Sequence, residues 1–309
     1  MAKNAAGGGV VIDTAYPHLH SSARAVIEDS AEERIRRIRT DRWITYARAE
    51  AALASFEDLL TFPKRTRMPN LLLVGATNNG KTMIVERFRR RHPPTLASAT
   101  EDGIANIPVL KIQMPPGPDE RRFFGAILDA LGFPHSPSGS VAKRQETAIK
   151  MMRATEVSLL IIDDLQNLLS GSRLQQRRLL NVLRWLGNEI QIPLVAAGTV
   201  DALHAIQSDD QLANRFEPFG LPPWRDGEEY RQLLSTLEAV LPLRQPSDLA
   251  DSALAGKILA AADGILGEVI TLVTRAAVMA VNRGIEAITA TVVDDCGFVP
   301  ASQRRHVAV

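Results

Sequence analysis

Leu71-Leu72-Leu73-Val74-Gly75-Ala76-Thr77-Asn78-Asn79-Gly80-Lys81-Thr82 is the stretch whose reading decides the fold. Its leading apolar residues predict a buried strand, and Gly75 to Thr82 spells G-x-x-x-x-G-K-T ahead of a helical run from Met83 to Arg91. Strand, glycine-rich loop and helix, in that order, make the phosphate cradle known as a P-loop. Glycines at the two ends of the loop admit backbone conformations that a side chain forbids. Successive amides can then point inward while the following helix aims its positive end at an anion.

The chemistry expected of such a loop is nucleotide binding, with ATP and Mg²⁺ as cofactors. Gly75, Ala76, Thr77, Asn78, Asn79, Gly80, Lys81, Thr82 and Met83 are the candidate contacts, Lys81 bridging the β- and γ-phosphates and the Thr82 hydroxyl binding Mg²⁺. A second signal is Val157-Ser158-Leu159-Leu160-Ile161-Ile162-Asp163-Asp164, an apolar run that delivers two carboxylates to the rim of a sheet. An Asp-Asp pair after a strand can equally cap a helix. Beside a P-loop, Asp163 reads as the Walker B aspartate that holds Mg²⁺ through water, and Asp164 as the carboxylate that orients the attacking water. Related ATPases usually place Glu there, so Asp164, one methylene shorter, is expected to position water less well.

Further along, Ile192 to Gly198 predicts another apolar strand, ending at Thr199. P-loop ATPases that insert a strand between their two Walker strands put a γ-phosphate sensor at its tip, and Thr199 is the candidate; a polar residue ending a strand is otherwise ordinary. Gln211-Leu212-Ala213-Asn214-Arg215-Phe216 precedes a short strand through Leu221. Arg215 is either a finger that enters a neighbouring subunit's site or a plain surface arginine.

Outward from these motifs, residues 1–22 carry Gly7-Gly8-Gly9 and little periodicity, the pattern of a flexible arm. Residues 23–66 form an expected N-terminal helical segment. Its first helix, Ala23 to Arg42, crowds Arg34, Arg36, Arg37, Arg39 and Arg42 around Ile27, Ile35 and Ile38. With Glu32 and Glu33 four residues before Arg36 and Arg37, it reads as a solvated helix with internal ion pairs, or else as a partner contact. Its second, Trp43 to Leu60, is placed to pack against a nucleotide base. The α/β core spans 67–223. Within it, Ile107 to Met114 predicts a strand, Asp119 starts a helix closed by Gly132, and Val141 to Thr155 is helical. Arg121, Arg122, Lys143 and Arg144 give that region a positive bias, read either as scattered solvated charge or as a surface for DNA phosphates. From 224 to 298 the pattern is all helical, a small lid, and 299–309 is a tail.

The chain has 309 residues, 45% of them hydrophobic, with 36 basic against 35 acidic, enough for two domains and neutral on partner class. Cys296 is the single cysteine, so no internal disulfide forms and a cytoplasmic setting is expected. No signal-peptide layout and no membrane-length apolar stretch are present, and no membrane partner is expected.

Together, the Gly75 to Thr82 loop after Arg67-Met68-Pro69-Asn70, the Ile161 to Asp164 strand end, Leu186-Gly187-Asn188-Glu189 and Gln211 to Phe216 resemble the TniB family of transposition ATP-binding proteins, similar to TnsC and more distantly MuB. The resemblance implies an AAA+ P-loop NTPase core with a five-stranded parallel sheet and a C-terminal helical lid. It implies a regulator of transposition that self-assembles into a ring or filament on double-stranded DNA, recruits or activates the DDE transposase of its element, and disassembles on ATP hydrolysis. Two rival readings are a helicase loader of the same fold and an ATP-bound scaffold with negligible turnover. The sequence departs from the pattern at Asp164, and at Gly264-Ile265-Leu266-Gly267-Glu268, where many AAA+ proteins carry a second-sensor arginine; Arg275, further along the same helix, is a poor substitute.

Overall fold

A computed structural model describes residues 15–96, 105–136 and 138–304. The described residues divide into two units, one within 45–225 together with 263–268, the other within 15–44, 226–262 and 269–304.

The first unit is built on a parallel sheet of five strands: β1 (Asn70–Gly75), β4 (Val109–Gln113), β5 (Leu159–Asp163), β6 (Leu194–Gly198) and β7 (Phe216–Leu221). Two short strands, β2 (Thr95–Leu96) and β3 (Ala105–Asn106), form a separate antiparallel pair that the sequence pattern did not announce. The order β4-β5-β6-β1-β7 puts β6 between the two Walker strands, as the reading of Thr199 requires. Every residue of β1, β5 and β6 is buried, which is why these strands read as unbroken apolar runs rather than alternating ones. Pro218 lies in β7 at the sheet's edge, where a missing N–H breaks no central ladder.

Helices cover both faces of this sheet. The P-loop helix, Lys81–Arg91, packs Phe88 edge-on against Phe56 of helix Ala47–Leu60, at 5.3 Å between rings. Helices Glu120–Ala130, Val141–Ala154 and Arg173–Ile190 close a core that includes Phe123, Phe124, Ile127, Met152 and Leu183. Burial of side chains of this size contributes about 1.5–3 kcal/mol each, so the sheet is a stiff platform for whatever its edges carry.

The second unit is helical and joins the amino-terminal helices to the carboxy-terminal ones. Arg34 is 3% exposed and donates from Nη1 and Nη2 to the two Glu286 carboxylate oxygens, each at 2.7 Å. His20 N–H donates to the Ala239 carbonyl at 2.7 Å, and Leu19, Ala23 and Ile27 form a buried cluster.

Four boundaries therefore differ from expectation. The arm read as 1–22 is ordered from residue 15 onward through Leu19, while 1–14 lie outside the described residues. The helix expected over Ala23 to Arg42 is two, Ser21–Arg24 and Ala31–Arg39, because the Ser30 hydroxyl accepts from Glu33 N–H and starts the second. The segment 23–66 splits at residue 44, its first part grouping with the carboxy-terminal helices, and 263–268 groups with the core rather than the lid. Arg34 is also no solvated charge: the buried Glu286 pair claims it, and only Glu33 and Arg36, at 3.9 Å, form a surface pair on that helix.

Candidate nucleotide-binding site

The carboxyl edge of the sheet collects the expected residues. Gly75 ends β1, Gln113 ends β4, Asp163 ends β5, Gly198 ends β6 and Leu221 ends β7, with Gly75 paired to Leu221 and Gln113 to Asp163. This is the edge where open parallel sheets bind ligands.

The loop is pinned from two sides. Gly80 adopts φ +84°, a conformation that favours glycine, and a Cβ there would make a tight contact of 3.1 Å with Leu266 Cδ2. Asn79 is 3% exposed; its Nδ2 donates to the carbonyls of Leu221 (2.9 Å) and Pro222 (3.3 Å), and its Oδ1 accepts from Leu266 N–H (3.2 Å). Asn78, at φ +62°, donates to Glu268 Oε1 at 3.0 Å, and its carbonyl accepts from Gly267 N–H at 2.9 Å. A Cβ on Gly267 would overlap the Asn78 amide at 2.1 Å. The side chains of Asn78 and Asn79 thus hold the loop to the protein, leaving backbone amides to face an anion.

Lys81 is 7% exposed and donates to the Gly75 and Ala76 carbonyls at 2.9 and 2.7 Å. Burial pushes its ammonium down from the ordinary lysine value while Asp163 and Asp164 oppose that shift. Thr82 and Met83 lie exposed on the first helical turn, in the reach of a ligand seated on the loop.

Asp163, 3% exposed, accepts from Asp164 N–H on Oδ1 (3.0 Å) and faces Lys111 Nζ with Oδ2 (3.3 Å). Asp164 sits in the left-handed region at φ +56°, a conformation that Asp tolerates better than most residues. Its oxygens are held by two amides, Gln113 Nε2 on Oδ2 at 2.8 Å and Gln166 Nε2 on Oδ1 at 2.9 Å. A carboxylate has about four acceptor positions, so capacity for a water is left. At the tip of β6, Thr199 Oγ1 is buried without a hydrogen-bond partner, and so is Gln166 Oε1. Buried polar atoms of this kind are costly unless a ligand or water satisfies them. Lys81, Thr82, Asp163 and the unpartnered Thr199 therefore fit a nucleotide with Mg²⁺.

Other expected residues lie elsewhere. Arg215 is at the opposite, amino edge: its carbonyl accepts from Asn70 N–H at the start of β1, and its Nη1 donates to Asn188 Oδ1 at 2.8 Å. It borders a cleft of about 900 Å³ also lined by Arg65, Arg67 and Gln211. Burial, then Arg67 and Arg184, hold its guanidinium below the usual arginine value. Among the expected DNA contacts, Arg121, Arg122 and Lys143 are exposed, but Arg144 is 8% exposed and donates to the Ser136 and Arg121 carbonyls. Arg144 is a structural clamp between two helices and not a phosphate contact, since its donors face protein carbonyls.

Several residues escaped the sequence reading. Gln113 and Gln166 act through strand register and a tight turn, which spacing does not reveal. Tyr46, whose hydroxyl lies by Gly80, packs edge-on against Trp224 at 5.2 Å, and burial pushes its phenol up to about 12, so it stays neutral. Lys111 did carry a signal, a charge inside the apolar strand Val109–Gln113.

Fold and site together define a P-loop ATPase fold of the AAA+ class. The ORC2 protein of Aeropyrum pernix, solved in ADPNP and ADP complexes, is similar at TM-score 0.60 and 17% identity, over 84% of this chain and 70% of that one. Cdc6p from Pyrobaculum aerophilum gives 0.59 and 17% over 81% and 67%, and A. pernix ORC1 in complex with DNA gives 0.58 and 18% over 85% and 68%. At such identities the likeness establishes the fold. No curated protein matches the sequence. The family model described as bacterial TniB protein matches residues 34–226, more than half of the chain, and the chain belongs to the TniB family. Among the described residues, no single helix is long and apolar enough to cross a membrane.

Proposed function

We propose that this protein is an ATP-hydrolysing regulator of transposition that assembles on double-stranded DNA and recruits or activates the transposase of its element. The observation that carries the proposal is the separation of the candidate catalytic residues onto two edges of one sheet. Lys81, Thr82, Asp163, Asp164 and Thr199 gather at the carboxyl edge, whereas Arg215 is tied to the first residue of β1. A strand rises roughly 3.3 Å per residue, so six-residue β1 sets the edges on the order of 15–20 Å apart. Arg215 cannot reach its own P-loop, and an arginine needed in hydrolysis must come from a neighbour. Assembly is then a condition of turnover.

In the proposed reaction ATP and Mg²⁺ supply the phosphoryl group and the charge-neutralising metal. The loop amides and Lys81 hold the β- and γ-phosphates, Thr82 and Asp163 hold the metal, and Asp164 accepts a hydrogen bond from the attacking water. Thr199 contacts the γ-phosphate, and Arg215 of a neighbouring copy offsets the negative charge there. Tyr46 and Trp224 border the position of the base. The DNA-bound Orc relative and family membership support a DNA partner, with Arg121, Arg122 and Lys143 as the exposed candidates.

Electron microscopy of the protein with duplex DNA in ATP, a non-hydrolysable analogue and ADP tests this reading. Rings or filaments are expected with the triphosphates only, and none with Lys81→Ala. Particles that ignore duplex DNA in every state would overturn it. A second reading, a triphosphate-bound scaffold with slow turnover, is favoured by one observation, the two glutamine amides on Asp164.

A further inference from the structure

Lys111 is a lysine in the apolar strand Val109-Leu110-Lys111-Ile112-Gln113, with a side chain 19% exposed. It shares a face of the sheet with Gln113, two residues on, and the two residues serve the two aspartates in turn: Lys111 faces Asp163 Oδ2 at 3.3 Å, and Gln113 bonds Asp164. Its other neighbour is Glu86 Oε2, at 3.9 Å. Glu86 lies one helical turn beyond Thr82 and is already compensated, since Arg89 (2.7 Å) and Arg90 (2.8 Å) bind it and hold its carboxyl down at about 2. Lys111 adds only a smaller share to that shift and stands closer to Asp163, at 3.3 Å, than to Glu86, at 3.9 Å.

We propose that Lys111 is a resident counter-cation for Asp163, which closes the metal position to free divalent cations and admits a metal only when it arrives with a polyphosphate. The inference rests on Asp163 facing Mg²⁺, as proposed above. A buried carboxylate takes a counter-charge, and whichever cation is covalently tethered wins in the absence of a competitor with more to offer. Like-charge repulsion between the ammonium and a divalent ion one carboxylate away, at a partly buried site, lowers the ion's affinity on the order of a hundredfold or more. The negative charge of a nucleotide triphosphate offsets that repulsion. Lys111 is a positioning residue, acting through Asp163 and not on the substrate.

Thermal melting of the full chain, with EDTA, with MgCl₂ alone and with ATP plus MgCl₂, separates the outcomes. The wild type is expected to ignore MgCl₂ alone and to gain stability from ATP with MgCl₂. Failure of that second response would remove the nucleotide reading and, with it, the admission of a metal with a polyphosphate, while the exclusion of free Mg²⁺ by Lys111 is read separately from the variants in MgCl₂ alone. Lys111→Met is expected to melt roughly 5–10 °C lower in EDTA, because Asp163 loses its partner, and to recover with millimolar MgCl₂ without nucleotide. Lys111→Arg restores wild-type indifference to Mg²⁺. Lys111→Met combined with Asp163→Asn melts above Lys111→Met alone and loses the Mg²⁺ response. A Lys111→Met protein that ignores Mg²⁺, or a wild type that responds equally to it, would overturn the proposal. If Lys111→Met does not fold, Asp163→Asn must restore folding, and failure to do so also overturns it.

Discussion

At the scale of single residues, Asp164 limits the site most. Both of its oxygens accept from glutamine amides, and its short arm leaves the carboxylate at the turn, close to Gln113 and Gln166. A glutamate there extends one methylene further, past the amides, and on the proposed reading would bring its carboxylate closer to the attacking water. Its cost is conformational, since φ +56° suits Asp better than Glu, by about 1 kcal/mol. That strain falls on stability, whereas a better-placed carboxylate acts on the transition state. Asp164→Glu is therefore expected to raise ATP turnover about tenfold at saturating DNA and leave nucleotide affinity unchanged, as read by steady-state phosphate release and nucleotide titration. Equal or lower turnover would leave the slow-scaffold reading without its cause. Lys81, Thr82 and Asp163 were legible because a contiguous motif fixes their neighbours. Gln113 was not, because its partner is set by β4 lying beside β5, a fact of sheet order that a single strand's sequence does not contain.

At the scale of elements, the P-loop owes its shape to a few polar contacts that bridge distant parts of the chain. The Asn79 side chain joins the end of β7 to the residues that open helix Leu266–Asn282, donating from Nδ2 to the Leu221 and Pro222 carbonyls and accepting on Oδ1 from Leu266 N–H. Asn79→Ala leaves those groups buried and unpartnered, at about 1–3 kcal/mol for each group that water does not reach. The expected result is a melting temperature lower by roughly 4–10 °C, measured by calorimetry, with part of the loss recovered on adding ATP and Mg²⁺. An unchanged melting temperature would show that the loop holds its form without this side chain. The helix break at Ser30 has the same lesson. Its signature, Ser30 three residues before Glu33, was present in the sequence, yet the apolar spacing ran on through it and suggested one helix. Local capping outranked periodicity because the chain had to turn for Arg34 to meet Glu286.

At the scale of the whole molecule, the proposed role of Arg215 would make one copy insufficient. Its motif was visible in Gln211 to Phe216, but its distance from the P-loop is a property of the assembled sheet, in which the end of β1 carries the loop and its beginning carries the arginine carbonyl. Burial first, then Arg67 and Arg184, depress its guanidinium against the opposing Asp209, so part of the shift is repulsion between arginines at the amino edge. A polyphosphate on a neighbour's P-loop would relieve that repulsion, which couples nucleotide binding to association. Arg215→Ala is expected to bind nucleotide normally and to hydrolyse it roughly 10³-fold more slowly. Lys81→Ala, which keeps Arg215 but lacks the phosphate ligand, is expected to be inactive for the opposite reason. Mixed together with DNA, the two should recover activity well above their sum, because an intact finger can then face an intact P-loop across the interface between copies. If the mixture is no more active than its parts, while ATP-bound Arg215→Ala still takes Lys81→Ala into its assemblies on DNA, Arg215 does not act between copies, and the separation of the two sheet edges has some other purpose.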